Sequence, residues 1–271
     1  RQPIGKHQEL PKRRAMGGVV IVMAYHDREM QLTRTIATMN QSAYGDWHAV
    51  VVDDASPEPV SASWDNVDVI RIEPEDKLWH NGEPAYNTGI RYGIREYNPD
   101  VIILQNPECY HVGDVISYAA ANVTPANYLS FAAFSIDEKN TREGHDINRM
   151  THHHNRNVKC DFDNGWYNHS KHRPVGYDFC AAIYTGNMLL LNGYDERFSA
   201  GLAFGDNYLL HRVKAMGLNL QIVDTPFVVH QWHTRNLPKN ARELINRNAA
   251  LWRSLSQTKE IRAKHIYTPD I

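Results

Sequence analysis

Val19-Val20-Ile21-Val22-Met23-Ala24-Tyr25-His26-Asp27 and, further on, Ala49-Val50-Val51-Val52-Asp53-Asp54-Ala55-Ser56 are the stretches on which the fold of this chain turns. Each opens on a short run of β-branched and small apolar residues, which reads as a strand buried on both faces. Between them Met30, Thr33, Ile36, Ala37 and Met39 recur at three- and four-residue spacing, the period of an amphipathic helix. A strand, a polar turn, a helix and a second strand ending in acids form half of a mononucleotide-binding unit.

Working outward, Val67-Asp68-Val69-Ile70-Arg71-Ile72 predicts a third strand, Ala85 to Glu96 a helix, and Val101-Ile102-Ile103-Leu104 a fourth strand. Strands alternating with helices imply an α/β fold, a central, mostly parallel sheet flanked by helices. Ligands of such sheets sit at the carboxyl ends of the strands, where Asp27, Asp53, Asp54 and the Gln105–Glu108 segment fall. Residues 137–178 are polar, rich in His and Asn, and without a sustained period, so they read as a functional or locally disordered loop. Phe179 to Leu191 is apolar, with Gly186 interrupting it, and Leu209 to Met216 reads as a helix ended by Gly217. Leu220–Val223 and Phe227–Val229 read as two short strands, and a helical tail runs from about Pro238 to Gln257. With no repeat and no Gly/Ser linker, one domain over residues 1–271 is expected. Its divisions are a nucleotide-binding half at 19–136, a smaller acceptor-side half at 137–235 and a helical tail at 236–271.

The chain has 271 residues, 42% hydrophobic and 22% charged, which suits a soluble globular protein and excludes disordered and collagen-like classes. A formal net charge of −2 gives no global field for nucleic acid or an anionic membrane, so neither is expected as a partner. The basic stretch Lys6 to Arg14 reads as a solvated arm. No apolar run approaches the ~20 residues that span a bilayer, so no membrane span is expected and a soluble, cytoplasmic chain is favoured. Cys109, Cys160 and Cys180 make no disulfide framework; a Cys160–Cys180 bridge and free buried thiols both stay open.

The strand-end carboxylates Asp53 and Asp54 could accept hydrogen bonds from a uracil N–H and ribose hydroxyls, or simply cap the strand and turn. Neither a P-loop nor the glycine-rich dinucleotide fingerprint is present, which argues against simple ATPases and dehydrogenases. With Tyr25, then Gln41-Ser42-Ala43-Tyr44, then Val52-Asp53-Asp54-Ala55-Ser56, the stretch Val19–Ser56 resembles the opening of the family 2 glycosyltransferases, which have the GT-A (Rossmann-like) fold. Gly82-Glu83-Pro84-Ala85-Tyr86-Asn87-Thr88-Gly89 is similar to that family's Gly-x-x-x-Ala-Arg-Asn-x-Gly, with Tyr86 where Arg is usual. The resemblance runs from about Val19 to His233, interrupted by the His-rich segment. It implies a nucleotide-sugar donor, taken as a UDP-sugar, near Ala24, Tyr25, Asp27, Asp53, Asp54, Asn87, Gln105 and Asn106.

In that family the strand after this helix ends in a metal-binding Asp-x-Asp, which would hold Mn²⁺ or Mg²⁺ against the donor diphosphate. The matching stretch here is Leu104-Gln105-Asn106-Pro107-Glu108, with Glu108 its single carboxylate and amide oxygens at Gln105 and Asn106. His230-Gln231-Trp232-His233 follows a predicted strand, where several GT-A enzymes place a metal-ligating His. The resemblance thus implies a site of Glu108 with His230 and His233, a donor set that favours Mn²⁺ over Mg²⁺. Both imidazoles can face one ion only where the strand has ended.

Gly193-Tyr194-Asp195-Glu196-Arg197-Phe198 and Gly205-Asp206-Asn207-Tyr208-Leu209-Leu210 resemble the family's acceptor-side stretch. Asp206 falls on the carboxylate that the family uses as general base, although Asp also caps helices well. The resemblance therefore implies inverting transfer of a hexose to a hydroxyl of a glycan, a glycoprotein or a small molecule. Two other readings stay open: a catalytically weakened binding module on the same fold, and a sugar nucleotidyltransferase. The first is supported by the lost Asp-x-Asp; the second calls for a glycine-rich loop that Ala24–Arg28 lacks. His152-His153-His154, with Cys160, His169 and His172, has no paired zinc-ligand spacing and reads better as an acceptor-binding loop or lid. Trp79 and His80 are candidates to line a sugar.

Overall fold

The computed structural model describes residues 17–153 and 164–271. The first half is built from β1 (Val19–Tyr25), α1 (Glu29–Met39), β2 (Trp47–Asp54), β3 (Val67–Ile72), α2 (Glu83–Tyr97) and β4 (Val101–Gln105). There follow β5 (Cys109–Val112), α3 (Val115–Asn122), β6 (Asn127–Ser135), α4 (Glu138–Glu143), α5 (Ile147–His153) and β7 (Gly165–Asn168). The chain then forms β8 (Cys180–Tyr184), α6 (Thr185–Leu191), a 3-10 helix (Glu196–Ala200), α7 (Gly205–Ala215), β9 (Asn219–His230) and α8 (Ala241–Leu255).

One sheet runs through both halves in the order β3-β2-β1-β4-β8-β6-β9-β5, with β7 also paired to β6. The strands β3-β2-β1-β4 are parallel, as the alternating pattern predicts. Beyond them β8, β7 and β5 pair antiparallel, while β6 and β9 are parallel, so the second half of the sheet is mixed.

Alternate residues of the apolar strands serve opposite faces, as the two-residue period of a strand requires. Ile21, Met23, Val51 and Ile103 pack with Leu32, Ile36 and Met39 of α1. Val20, Val22, Val50, Val52 and Leu104 pack with Ala85 and Ile90 of α2 and with Leu209 and Val213 of α7. Burying each such side chain contributes about 1.5–3 kcal/mol, which explains why both faces must be covered. α2 lies close against the sheet because it presents glycines there. A Cβ on Gly89 would come 2.6 Å from Val22 Cγ1, and one on Gly93 2.6 Å from Val20 Cγ1. The last glycine of the Gly82–Gly89 motif is thus a packing residue.

Three expectations need correction. Leu220–Val223 and Phe227–Val229 belong to one strand, β9, rather than two. Its pairing to β6 slips between Phe131 and Ala133, opposite Val223 and Val228, and the slip takes up Pro226, which has no N–H for the ladder. Residues 137–178 are not a plain loop. They supply α4, α5 and β7, and Ile147, Met150 and Trp166 join Tyr110, Phe134, Phe227 and Val229 in a third apolar cluster. His154 and Cys160 lie outside the described residues, whereas Cys109 and Cys180 are buried free thiols. Finally, β6 and β5 have no counterpart in the sequence reading. Among the described residues no helix is long and apolar enough to cross a membrane.

Candidate metal centre and active site

After β4 the turn Asn106-Pro107-Glu108 closes with Cys109 N donating to Asn106 O at 3.0 Å. β5 then runs antiparallel to β9 with Cys109 opposite His230, so Glu108 lies beside the end of β9. The Glu108 carbonyl accepts from Gln231 N at 3.1 Å and from Gln231 Nε2 at 2.9 Å. β9 ends at His230, and the chain then turns so that His233 comes back to the same carboxylate. Glu108 Oε1 is 3.1 Å from His230 Nε2 and 3.4 Å from His233 Nε2. The three ligand atoms lie within 4.8 Å of one another, and all three side chains are almost fully buried.

Burial alone would raise the Glu108 pKa, but the Arg28 guanidinium and hydrogen bonds from His230 and His233 hold it well below the ordinary value. Burial pushes His230 down, against the pull of Glu108, so its imidazole is neutral at pH 7. His230 Nδ1 is buried and, among the described residues, has no hydrogen-bond partner. An ionised carboxylate and deprotonated imidazole are the protonation states that ligate a metal, and this donor set fits a borderline divalent ion such as Mn²⁺. Among the described residues no other three His, Cys, Asp or Glu side chains converge this closely. His169 and His172 instead pack with each other and with Trp166, ring centroids 4.5 Å apart in the His169–His172 and Trp166–His169 pairs.

A cavity of about 230 Å³ beside the triad is lined by Ala24, Tyr25, Asp54, Tyr86, Asn106 and Glu108, among others. Through Gly82, Tyr86 and Asn106 it adjoins a second cavity of about 320 Å³ that contains Asp206. A third, of about 520 Å³, lies across Arg28 and is lined by Asp27 and His233. Asp27 is exposed, in the left-handed region at φ 49, and its N–H donates to Ser56 Oγ at 3.0 Å.

The other sequence-predicted donor residues point into the frame. Asp53 Oδ1 accepts from Ser56 N at 3.0 Å and Oδ2 from Arg71 Nη1 at 2.8 Å, which closes the turn after β2. Asn87 bridges the Tyr194 backbone, through 2.7 and 2.9 Å bonds, and Glu196. Gln105 donates to Cys109 O at 2.7 Å, and its oxygen accepts from His111 Nε2 at 2.9 Å and Cys180 Sγ at 3.3 Å. That oxygen is engaged in the core, away from the ligand atoms of the triad. Asp54 both lines the cavity and accepts from Trp79 Nε1 at 2.9 Å and Lys77 Nζ at 2.7 Å. Trp79 therefore serves Asp54, and His80 is exposed.

Asp206 stands in the first turn of α7, whose N-cap is Phe204, left-handed at φ 67 and without a side-chain cap bond. Asp206 is thus not the N-cap residue itself, yet its Oδ1 accepts from the first-turn Asn207 N at 2.8 Å and helps to satisfy the helix start. Two further carboxylates line the same cavity, Asp178 and Glu83. Asp178 accepts from the Tyr194 hydroxyl. Glu83 accepts from Asn81 Nδ2 at 2.7 Å and Ser199 Oγ at 3.0 Å. Glycine at position 205 lets α7 start against Glu83, since a Cβ there would overlap Glu83 Oε1 and the carboxylate would have to move.

Burial raises Asp206. It raises Asp178 to about 6, with Asp206 adding to it, and Glu83 to about 8, with Asp206 and Asp178 adding. Sequence reading missed both partners. Asp178 ends a stretch without pattern, and Glu83 stood at an unspecified position of the Gly82–Gly89 motif; an acid beside Pro84 at a helix start was its one signal.

Because its folded pKa lies above its unfolded value of 4.5, Glu83 makes the folded state bind the extra proton, and stability falls as pH rises toward about 8. Glu83→Gln, which copies the protonated shape, should flatten that fall. Stability read from urea unfolding between about pH 7 and 8, above the range where Asp178 titrates, should lose a slope of up to about 1.4 kcal/mol per pH unit. An unchanged slope would show that Glu83 is ionised throughout.

No protein-family model matches the chain, and no curated protein sequence matches it. Among solved structures the fold is similar to a mannosyltransferase, PcManGT from Pyrobaculum calidifontis, determined in complex with GDP-Man and Mn²⁺. The TM-score is 0.50 at 12% identity, over 88% of this chain and 65% of that one. The chain thus spans just under two thirds of that protein's length, and the likeness is one of fold alone, a mixed α/β fold.

Proposed function

We propose that this chain is a glycosyltransferase that transfers a hexose from a nucleotide-sugar donor to a hydroxyl acceptor, with inversion and with a divalent ion. One observation carries the reading. Glu108, of a buried Glu108–His230–His233 triad, lines one cavity, and that cavity adjoins a second containing Asp206, at the carboxyl ends of the strands. A fold similar to a mannosyltransferase supports it.

Glu108, His230 and His233 would hold the ion, which, when bound, supplies positive charge to the diphosphate leaving group. Ala24, Tyr25, Asp54 and Asn106 would bound the nucleotide-sugar, with Asp27 at its outer edge. Asp53, Asn87 and Gln105 would act indirectly, by fixing the turns that carry those residues. Asp206 would take the proton of the acceptor hydroxyl. Asp178, held by the Tyr194 hydroxyl, is itself raised to about 6 by burial and by the charge of Asp206.

The acceptor cavity is lined by Tyr86, Tyr177, Phe179 and Tyr194 and by three acidic side chains, Asp178, Asp206 and a Glu83 that is protonated at neutral pH, and no Lys, Arg or His lines it among the described residues. That surface suits an uncharged sugar or glycan and repels phosphate- or carboxylate-bearing acceptors. The nucleotide is taken to be UDP; the similar structure with GDP-Man makes GDP the comparison to run beside it. The test is release of nucleoside diphosphate from UDP- and GDP-linked hexoses with Mn²⁺, against neutral and anionic acceptors. Turnover with neutral acceptors alone is expected. No release from any donor would leave the catalytically weakened binding module as the better reading, and turnover favouring anionic acceptors would overturn the acceptor assignment.

A further inference from the structure

Arg28 stands where the triad and two cavities meet. Its Nη1 is 2.8 Å from Glu108 Oε2 and 3.4 Å from His233 Nε2. The base of the group is anchored: Nε donates to His26 O at 3.0 Å, and the backbone N–H donates to Tyr25 OH at 3.1 Å. Beyond that anchor the side chain is 20% exposed and borders both the 230 Å³ and the 520 Å³ cavity. Among the described residues no partner holds Nη2, so part of the planar donor fork is left for a ligand. Arg28 is also the one Lys or Arg among the described residues lining the 230 Å³ cavity.

We propose that Arg28 is the built-in cation of this site, neutralising Glu108 in the metal-free protein and passing to the donor diphosphate when a divalent ion takes Glu108. This rests on the metal reading above. The carboxylate can serve one close cation well, and a guanidinium left in place would repel the incoming ion. The fork geometry of a guanidinium suits phosphate oxygens as well as it suits a carboxylate, so the exchange replaces one charge-assisted partner with another. Arg28 thereby couples the two ligands: it opposes the ion alone and favours ion and diphosphate together.

The test is calorimetric titration of the full chain with Mn²⁺ alone and with inorganic pyrophosphate in the presence of Mn²⁺, for wild type, Arg28→Gln, Arg28→Lys and His230→Ala. Arg28→Gln should bind Mn²⁺ about tenfold tighter, and pyrophosphate about tenfold weaker, the size of effect usual for groups just outside a metal's ligands. Arg28→Lys should restore part of both. A merely structural role would weaken both ligands together, and equal or weaker Mn²⁺ binding by Arg28→Gln overturns the proposal. Mn²⁺ binding that His230→Ala abolishes but Arg28→Gln leaves unchanged would overturn the role of Arg28 alone. Absence of Mn²⁺ binding by the wild type would remove the metal reading and this inference with it.

Discussion

Asp206→Asn should bind the nucleotide donor as the wild type does and lose sugar transfer by about 10²–10⁴-fold, the contribution typical of a positioned general base. The amide is nearly isosteric, and its oxygen can still accept from Asn207 N, so the start of α7 is kept. Stability should rise slightly rather than fall, because a buried carboxylate with a raised pKa is replaced by a neutral group. The wild-type rate should climb with pH over the acidic range, because burial raises the Asp206 pKa and only its ionised form can take the acceptor's proton. Steady-state kinetics with a separate measurement of donor affinity decide the matter: kcat falls and donor affinity stays. An active Asn variant would remove Asp206 as base and turn attention to Asp178.

Glu108→Gln should weaken Mn²⁺ by at least about a hundredfold, beyond the 10–100-fold that loss of an outer partner costs. The fold should survive, because β5 is tied to β9 by the Glu108 carbonyl, which accepts two hydrogen bonds from Gln231 whatever the side chain. The change removes the carboxylate charge from the triad and leaves only His230 and His233 to hold the ion. Circular dichroism checks the fold and metal titration reads the effect. Metal affinity equal to the wild type would show that the ion, if bound, sits elsewhere.

The fold of the first half was legible because its strands and helices carry plain periods. Val67–Ile72 coincides with β3, and the helix predicted from Ala85 lies inside α2. β6 was not legible. All nine of its residues are buried, yet Asn127, Ser130 and Ser135 break the apolar run; Ser130 is satisfied by donating to Tyr177 O at 2.7 Å. Such a strand shows itself only through distant partners. The triad was half legible. The residue types at Glu108, His230 and His233 were readable, but their meeting depends on the β5–β9 register, and β5 was not foreseen. Strand-end position likewise could not tell Asp54, which faces the cavity, from Asp53, which is held by Arg71. The motif position of Asn87 gave no sign that its amide would be spent on Tyr194.

We propose that this site binds a nucleoside diphosphate through a divalent ion held by Glu108, His230 and His233. It is tested most directly by calorimetric titration of UDP, and in parallel GDP, into the protein with Mn²⁺ and again with EDTA, alongside Glu108→Gln. Binding of one nucleotide that disappears with EDTA and is lost in Glu108→Gln is the predicted result. Equal binding with and without Mn²⁺, or no binding of either nucleotide, would contradict it.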